Sequence, residues 1–234
     1  GAGAGNGSLT RYEPTSLSLS QDWATPLLQE QFLMLLKELR RTSDVLTGID
    51  KARLGGFTSE LAIEVYQLVK ECHPTQQSFA AHLQELAYDM AMSCWNDLTL
   101  SNEEQGLAAL HFLCVVSHLE ISTLEVEILQ DASDAWIFYL GNFNSSKVEG
   151  AEHIEREVEA FIINLLLAES KRSIFLDTIG KRFLIQKIFP DRLKESDKIT
   201  PADDSPLVIQ IIRDGQVLAH LHLIDKVIYW ATAN

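Results

Sequence analysis

The sequence predicts a mainly α chain: a helical bundle or short helical-hairpin repeat, followed by a C-terminal winged-helix-like unit with a β-hairpin. Three observations carry that prediction. From Thr25 to Ser170 apolar residues recur at three- and four-residue steps, the spacing that lines one face of a helix. The period then falls to two across Val217, Ala219, Leu221 and Leu223, which alternate with Leu218, His220 and His222. Asp225-Lys226 finally separates this run from the β-rich Val227-Ile228-Tyr229-Trp230, as the turn of a hairpin would. Three parts are expected: a flexible arm over residues 1–24, the helical part over 25–170, and the C-terminal unit over 171–234.

Gly1 to Ser8 is a small-residue lead, and Leu9 to Asp22 carries Pro14 among closely placed serines and threonines with no helical stripe, so an extended arm is expected. Thr25-Pro26 is a helix start, since proline at the first helical position gives up an N–H that has no intrahelical partner anyway. Leu28, Phe32, Leu35, Leu36 and Leu39 form one face that ends near Arg40-Arg41, cations suited to the negative end of a helix dipole. Gly48 and Gly55-Gly56 read as a loop, after which a helix from Thr58 or Ser59 carries Leu61, Val65, Leu68, Val69 and Cys72 as far as His73-Pro74. Phe79, Leu83, Leu86, Met90 and Cys94 define the next helix, between Gln76 and Asn96. Ser101-Asn102-Glu103-Glu104 is a capping box, in which serine and glutamate satisfy each other's free backbone donors, and it opens a strongly apolar helix through Leu107, Leu110, Phe112, Leu113, Val116 and Leu119. Ser122 or Thr123 opens another, through Leu124, Ile128, Leu129, Trp136, Tyr139 and Leu140, which Gly141-Asn142 closes. Short connections make consecutive helices pack antiparallel. No tetratricopeptide or ankyrin consensus appears, and a compact MIF4G-like or HEAT-like stack fits the same periodicity equally well.

In the last third, His153 to Ser170 is an amphipathic helix on Ile154, Val158, Phe161, Ile162, Leu165 and Leu166. After the apolar triplet Ile174-Phe175-Leu176, helical spacing resumes from Asp177 to Ile188 and stops at Pro190, and Asp191 to Asp204 is a polar loop. Ser205-Pro206 predicts a helix through Leu207, Val208, Ile211 and Ile212 that Gly215 closes. A strand over Val208 to Ile212 competes with it, because Asp214-Gly215 is a strong hairpin signal.

Asn164-Leu165-Leu166-Leu167, a short strand Ser173-Ile174-Phe175-Leu176 leading into Asp177-Thr178-Ile179-Gly180, then Ile211-Ile212-Arg213-Asp214-Gly215-Gln216-Val217 and the paired strands around Ile224-Asp225-Lys226 together resemble the PCI domain. The loop Phe189 to Asp204 is longer than that family usually carries there. The resemblance implies a helical repeat capped by a winged helix, of the kind found in scaffold subunits of the proteasome lid, the signalosome and the large translation initiation factor complex. It also implies a non-enzymatic scaffold or adaptor that docks other protein subunits. Leu218, Val227, Tyr229 and Trp230 give an apolar hairpin surface on which such a partner would be held.

Composition, 46% hydrophobic and 22% charged, suits a globular chain with one large core or two small ones. No run approaches the roughly 20 apolar residues of a membrane span, and no signal peptide is recognisable. Cys72, Cys94 and Cys114 lie inside helical patterns and lack metal-ligand spacing, so they are expected to be reduced, in the cytoplasm or nucleus. A formal net charge of −14 argues against a surface that grips nucleic acid everywhere, because phosphate contacts need concentrated cations. Lys171, Arg172, Lys181, Arg182, Lys187, Arg192 and Lys194 nevertheless crowd one segment, and an RNA- or DNA-binding adaptor using them is the alternative reading. No phosphate-binding glycine loop, G-x-S-x-G, H-E-x-x-H or C-x-x-C occurs, and no catalytic residue, metal or cofactor is expected. His220 and His222 share a strand face but are two ligands without a third. His111 and Cys114 sit in the most apolar helix, where core packing is expected rather than chemistry.

Overall fold

Proline at the first helical position opens α1 (Pro26–Val45) as the sequence predicts. In the computed structural model of the chain, which describes residues 22–202 and 207–233, there follow α2 (Gly48–Cys72), α3 (Gln77–Trp95), α4 (Asn102–Ser117), α5 (Val126–Asn142) and α6 (Ala151–Leu167). Two short helices come next, α7 (Arg172–Leu176) and α8 (Ile179–Phe183), the second continued by a π-helical turn at Leu184–Ile188. The chain ends in β1 (Lys198–Pro201), β2 (Val208–Arg213), β3 (Gln216–Ile224) and β4 (Val227–Thr232), one antiparallel sheet in the order β1-β2-β3-β4. The fold is therefore mainly α with a C-terminal β unit.

Packing divides the described residues into two compact units, one holding those up to Leu119 with Phe138–Glu157, the other Glu120–Ile137 with those from Val158 on. That division does not coincide with the boundary expected at residue 170. In the first unit α2 packs on α1, α3 and α4. Its burial is nearly all-round from Thr58 to Val69, as is that of α4 from Gly106 to Val116. Gly55-Gly56, expected in a loop, is helical instead. These residues are glycine because neighbouring helices come close: a Cβ on Gly55 would lie 3.0 Å from Cys94 Sγ, and one on Gly56 would overlap the His111 ring. The capping box at Ser101 is present, with Ser101 N–H donating to Glu104 Oε1 at 2.9 Å and Glu104 N–H to Ser101 Oγ at 3.3 Å. Residues 1–21 lie outside the described residues. Trp23, expected within the flexible arm, is instead buried against Phe32 and Phe79, with ring centroids 5.3 and 6.4 Å away.

In the second unit Leu129, Ala132 and Trp136 of α5, Val158, Ile162 and Leu165 of α6, and Phe175, Ile179 and Phe183 form a buried set, with Trp136 and Phe183 6.1 Å apart. Ser173 to Leu176, expected as a short strand, is the body of α7. Its Phe175 ring fills the space above Gly180, where any Cβ would collide with it.

The helix expected from Ser205 is corrected by the sheet. Ser205-Pro206 falls outside the described residues, and Val208–Arg213 is a strand paired with β1 and β3. The reason is the period of burial. Ile209 and Ile211 are fully buried while Val208, Gln210 and Ile212 are not, and Asp214 (φ 52°) and Gly215 (φ 77°) supply the two positive φ angles of a tight hairpin. Lys198–Pro201, within the expected polar loop, is also a strand.

Candidate partner-docking site

The hairpin β3–β4 turns at Asp225 (φ 50°) and Lys226 (φ 63°), the two residues between the paired Ile224 and Val227. From that turn the register runs Leu223↔Ile228, His222↔Tyr229, Leu221↔Trp230, His220↔Ala231 and Ala219↔Thr232. One further bond, Ala233 N–H to Leu218 O at 3.0 Å, fixes which of these are hydrogen-bonded pairs, because such pairs alternate along an antiparallel ladder. Val227, Tyr229 and Ala231 turn their backbone groups to β3, so Ile228, Trp230 and Thr232 turn theirs away from it. β4 is the last strand in the order, and those groups line its outer edge.

The other edge is built differently. β1 has four residues, begins with Lys198 and ends with Pro201. Ala202 N–H donates to Val208 O at 2.9 Å, so by the same alternation Thr200 faces β2, while Ile199 and Pro201 face outward. Proline thus occupies a position whose N–H would have pointed to solvent, a common way of blunting an edge. β4 carries neither charge nor proline over its six residues, Val-Ile-Tyr-Trp-Ala-Thr, and among the described residues no strand pairs with its outer edge.

The side chains expected to hold a partner split between the two sheet faces. Trp230 shares the face of buried Leu221, and its ring lies 5.2 Å from Phe189 with the Arg192 guanidinium 5.3 Å above it. Leu218 and Tyr229 are on the opposite face, as are His220 and His222, whose rings stand 6.5 Å apart. Tyr229 is 51% exposed and Val227, across from exposed Ile224 at the turn, 47%. Trp230 is half-buried.

Compared with protein-family models, curated proteins and solved structures, the chain matches none.

Most cations of the basic segment make bonds within the fold. Lys171 Nζ donates to Leu124 O at 2.9 Å, and Arg172, 3% exposed, donates through Nε to Leu166 O at 2.8 Å. Lys181 Nζ donates to Glu195 O at 2.9 Å, and the Arg182 guanidinium forks onto the Glu195 carboxylate, which this holds below the usual carboxylate range. Lys187 pairs with Glu159 at 3.2 Å, and Arg192 lies over Trp230. The Lys194 side chain is exposed, while its backbone N–H donates to Asp197. Asp197 is itself buried and accepts both Arg213 Nε and Nη2 at 2.7 Å, which lowers its pKa and ties β2 to the loop that leads into β1.

Buried titratable groups also meet in the core of the first unit. His111 Nδ1 bonds to Glu60 Oε2, and Cys114 Sγ lies 3.4 Å from Glu60 Oε1, all three side chains being buried. Glu64, one turn further along α2, is buried as well. The sequence pointed to His111 and Cys114 but not to the two glutamates, because an acid inside a helical run reads as solvated face. Lys51 and Asp97 form a second pair at 2.7 Å beside Cys94, around a cavity of about 40 Å³, room for a few waters. Burial, and secondarily the Asp97 charge, pushes the Cys94 thiol up to about 11, so it is not a nucleophile at neutral pH. Among the described residues no group of three or more His, Cys, Asp and Glu is placed to hold a metal ion, and no helix is long and apolar enough to cross a membrane.

Proposed function

We propose that the chain is a non-enzymatic adaptor of a multisubunit assembly in the cytoplasm or nucleus, and that it holds a partner protein by adding the partner's strand to β4. The observation that carries this reading is the contrast between the sheet edges: β1 is short and blunted by Lys198 and Pro201, whereas β4 offers the backbone groups of Ile228, Trp230 and Thr232 with no charge or proline among its residues. Strand addition draws affinity from main-chain hydrogen bonds and selectivity from alternate side chains, which here are Val227 and Tyr229 in one row and Ile228 and Trp230 in the other. The resemblance to the PCI domain supports the same class of role. A nucleic-acid role through Lys171 to Lys194 has less support, since most of those cations are engaged by Glu195, Glu159, main-chain carbonyls or the Trp230 ring.

The test compares three variants for capture of partner subunits. Thr232→Pro removes an outward N–H while keeping the bonds to β3, and Tyr229→Ala removes the exposed ring. Both are expected to weaken capture more than Lys187→Glu combined with Lys194→Glu. The opposite order would refute the reading.

A further inference from the structure

We infer that the groove between α1 and α3 docks an amphipathic helix from a partner protein, one whose apolar ridge is flanked by carboxylates. Leu33, Leu36, Lys37 and Arg40 stand at i, i+3, i+4 and i+7 on α1, so they share one face, and His82, Leu86 and Met90 at i, i+4 and i+8 share one face of α3. Between them lies a recess of about 250 Å³. It is far larger than the roughly 30 Å³ share of one water, yet below the 300–1,000 Å³ range of enclosed small-molecule sites, and no polar groups converge inside it. Its length, two turns of α1, matches the i, i+3 or i+4, i+7 anchors of a helix lying in a groove.

Charge selects the occupant. In a chain of formal net charge −14, the lining holds Lys37, Arg40 and His82 and no carboxylate. Neither Lys37 nor Arg40 has an ion-pair partner among the described residues, whereas Arg41, the next cation on α1, is paired with Glu38 at 3.1 Å. Arg40 and Met90 also border the neighbouring cavity, where Asp97 bonds to Lys51 and Asp44, a turn beyond Arg40, acts on the same lysine more weakly, so Lys37 is the cation that belongs to the groove alone. Glu85 and Asp89 on α3 are exposed but outside the lining. An apolar floor under cations that make no ion pair among the described residues favours leucine-like anchors bordered by glutamate or aspartate, and disfavours a basic ridge.

The probe is a labelled helical peptide of about fifteen residues with leucines at i, i+4 and i+7 and glutamates on both flanks. It is followed by fluorescence anisotropy against the full chain, and a second peptide carries lysine at every glutamate. The acidic peptide should bind, and the lysine peptide should bind at least about tenfold more weakly. Lys37→Glu with Arg40→Glu, both at exposed positions, should reverse that preference while circular dichroism stays unchanged, and Leu86→Arg should abolish binding of either. Equal binding of both peptides, binding of neither, or binding of phosphatidylserine vesicles in place of the peptide would overturn the inference. Thr232→Pro should leave peptide binding intact, so failure here and failure of the β4 reading are separate results.

Discussion

Replacing Glu60 by leucine should destabilise the first unit through what it leaves behind. Glu60 and His111 are 3% and 4% exposed, and the imidazole Nδ1 is bonded to one carboxylate oxygen while the Cys114 thiol approaches the other. With the carboxylate gone, a ring nitrogen remains buried without its partner. Orphaning one member of a buried polar or ionic pair costs about 1–3 kcal/mol for a neutral group and 3–5 for a charged one, so a loss of about 2–4 kcal/mol is expected for Glu60→Leu, with a similar loss for His111→Leu. Against a typical total stability of roughly 5–15 kcal/mol, either effect is large. The double variant tests the cause. Replacing both partners by apolar residues removes the orphan, so the double should be less destabilised than the sum of the singles, with a coupling of about 2 kcal/mol. Urea unfolding followed by far-ultraviolet circular dichroism reads all three. Singles that each lose less than about 1 kcal/mol, or a strictly additive double, would refute the reasoning.

Three further outcomes are expected. Hydrogen bonds from Lys51 and then Thr99 hold Asp97 down to about 2, so its contribution of about 1 kcal/mol is present above pH 4 and fades as the pH falls towards 2; acid titration of the wild type against Asp97→Asn should show the difference in that window. Iodoacetamide at neutral pH should label exposed Cys72 first and Cys94 far more slowly, with Cys114 protected until unfolding, read by mass spectrometry of timed samples. Lys226 sits at φ 63° in the β3–β4 turn, so Lys226→Gly should raise stability by about 0.5–1 kcal/mol in thermal melts, glycine being at ease in that conformation.

Where a local signal was also the strongest tertiary signal, the sequence was legible. Pro26, the Ser101–Glu104 box and the Asp225-Lys226 hairpin needed no knowledge of distant residues. Gly55-Gly56 was misread because glycine punctuates loops, while here it makes room for Cys94 and His111, partners some forty and fifty-five positions away. The Ser205-Pro206 cap signal outweighed Asp214-Gly215 on paper. In the fold, Ile209 and Ile211 each gain burial on one face and two strand neighbours, which no helix over those residues would give. Leu218, Val227, Tyr229 and Trp230 were rightly placed on one hairpin but not on one surface, since the face of each depends on register. The groove between α1 and α3 left no trace in either helix alone, because each supplies only half of its wall.

Residue-resolved amide exchange along β4 tests the open edge most directly. In the isolated chain the amides of Val227, Tyr229 and Ala231 should exchange slowly and those of Ile228, Trp230 and Thr232 fast, and the second set should become protected when a captured partner is added. Protection of Ile228, Trp230 and Thr232 in the isolated chain, or no change in them on partner binding, would contradict strand addition at this edge.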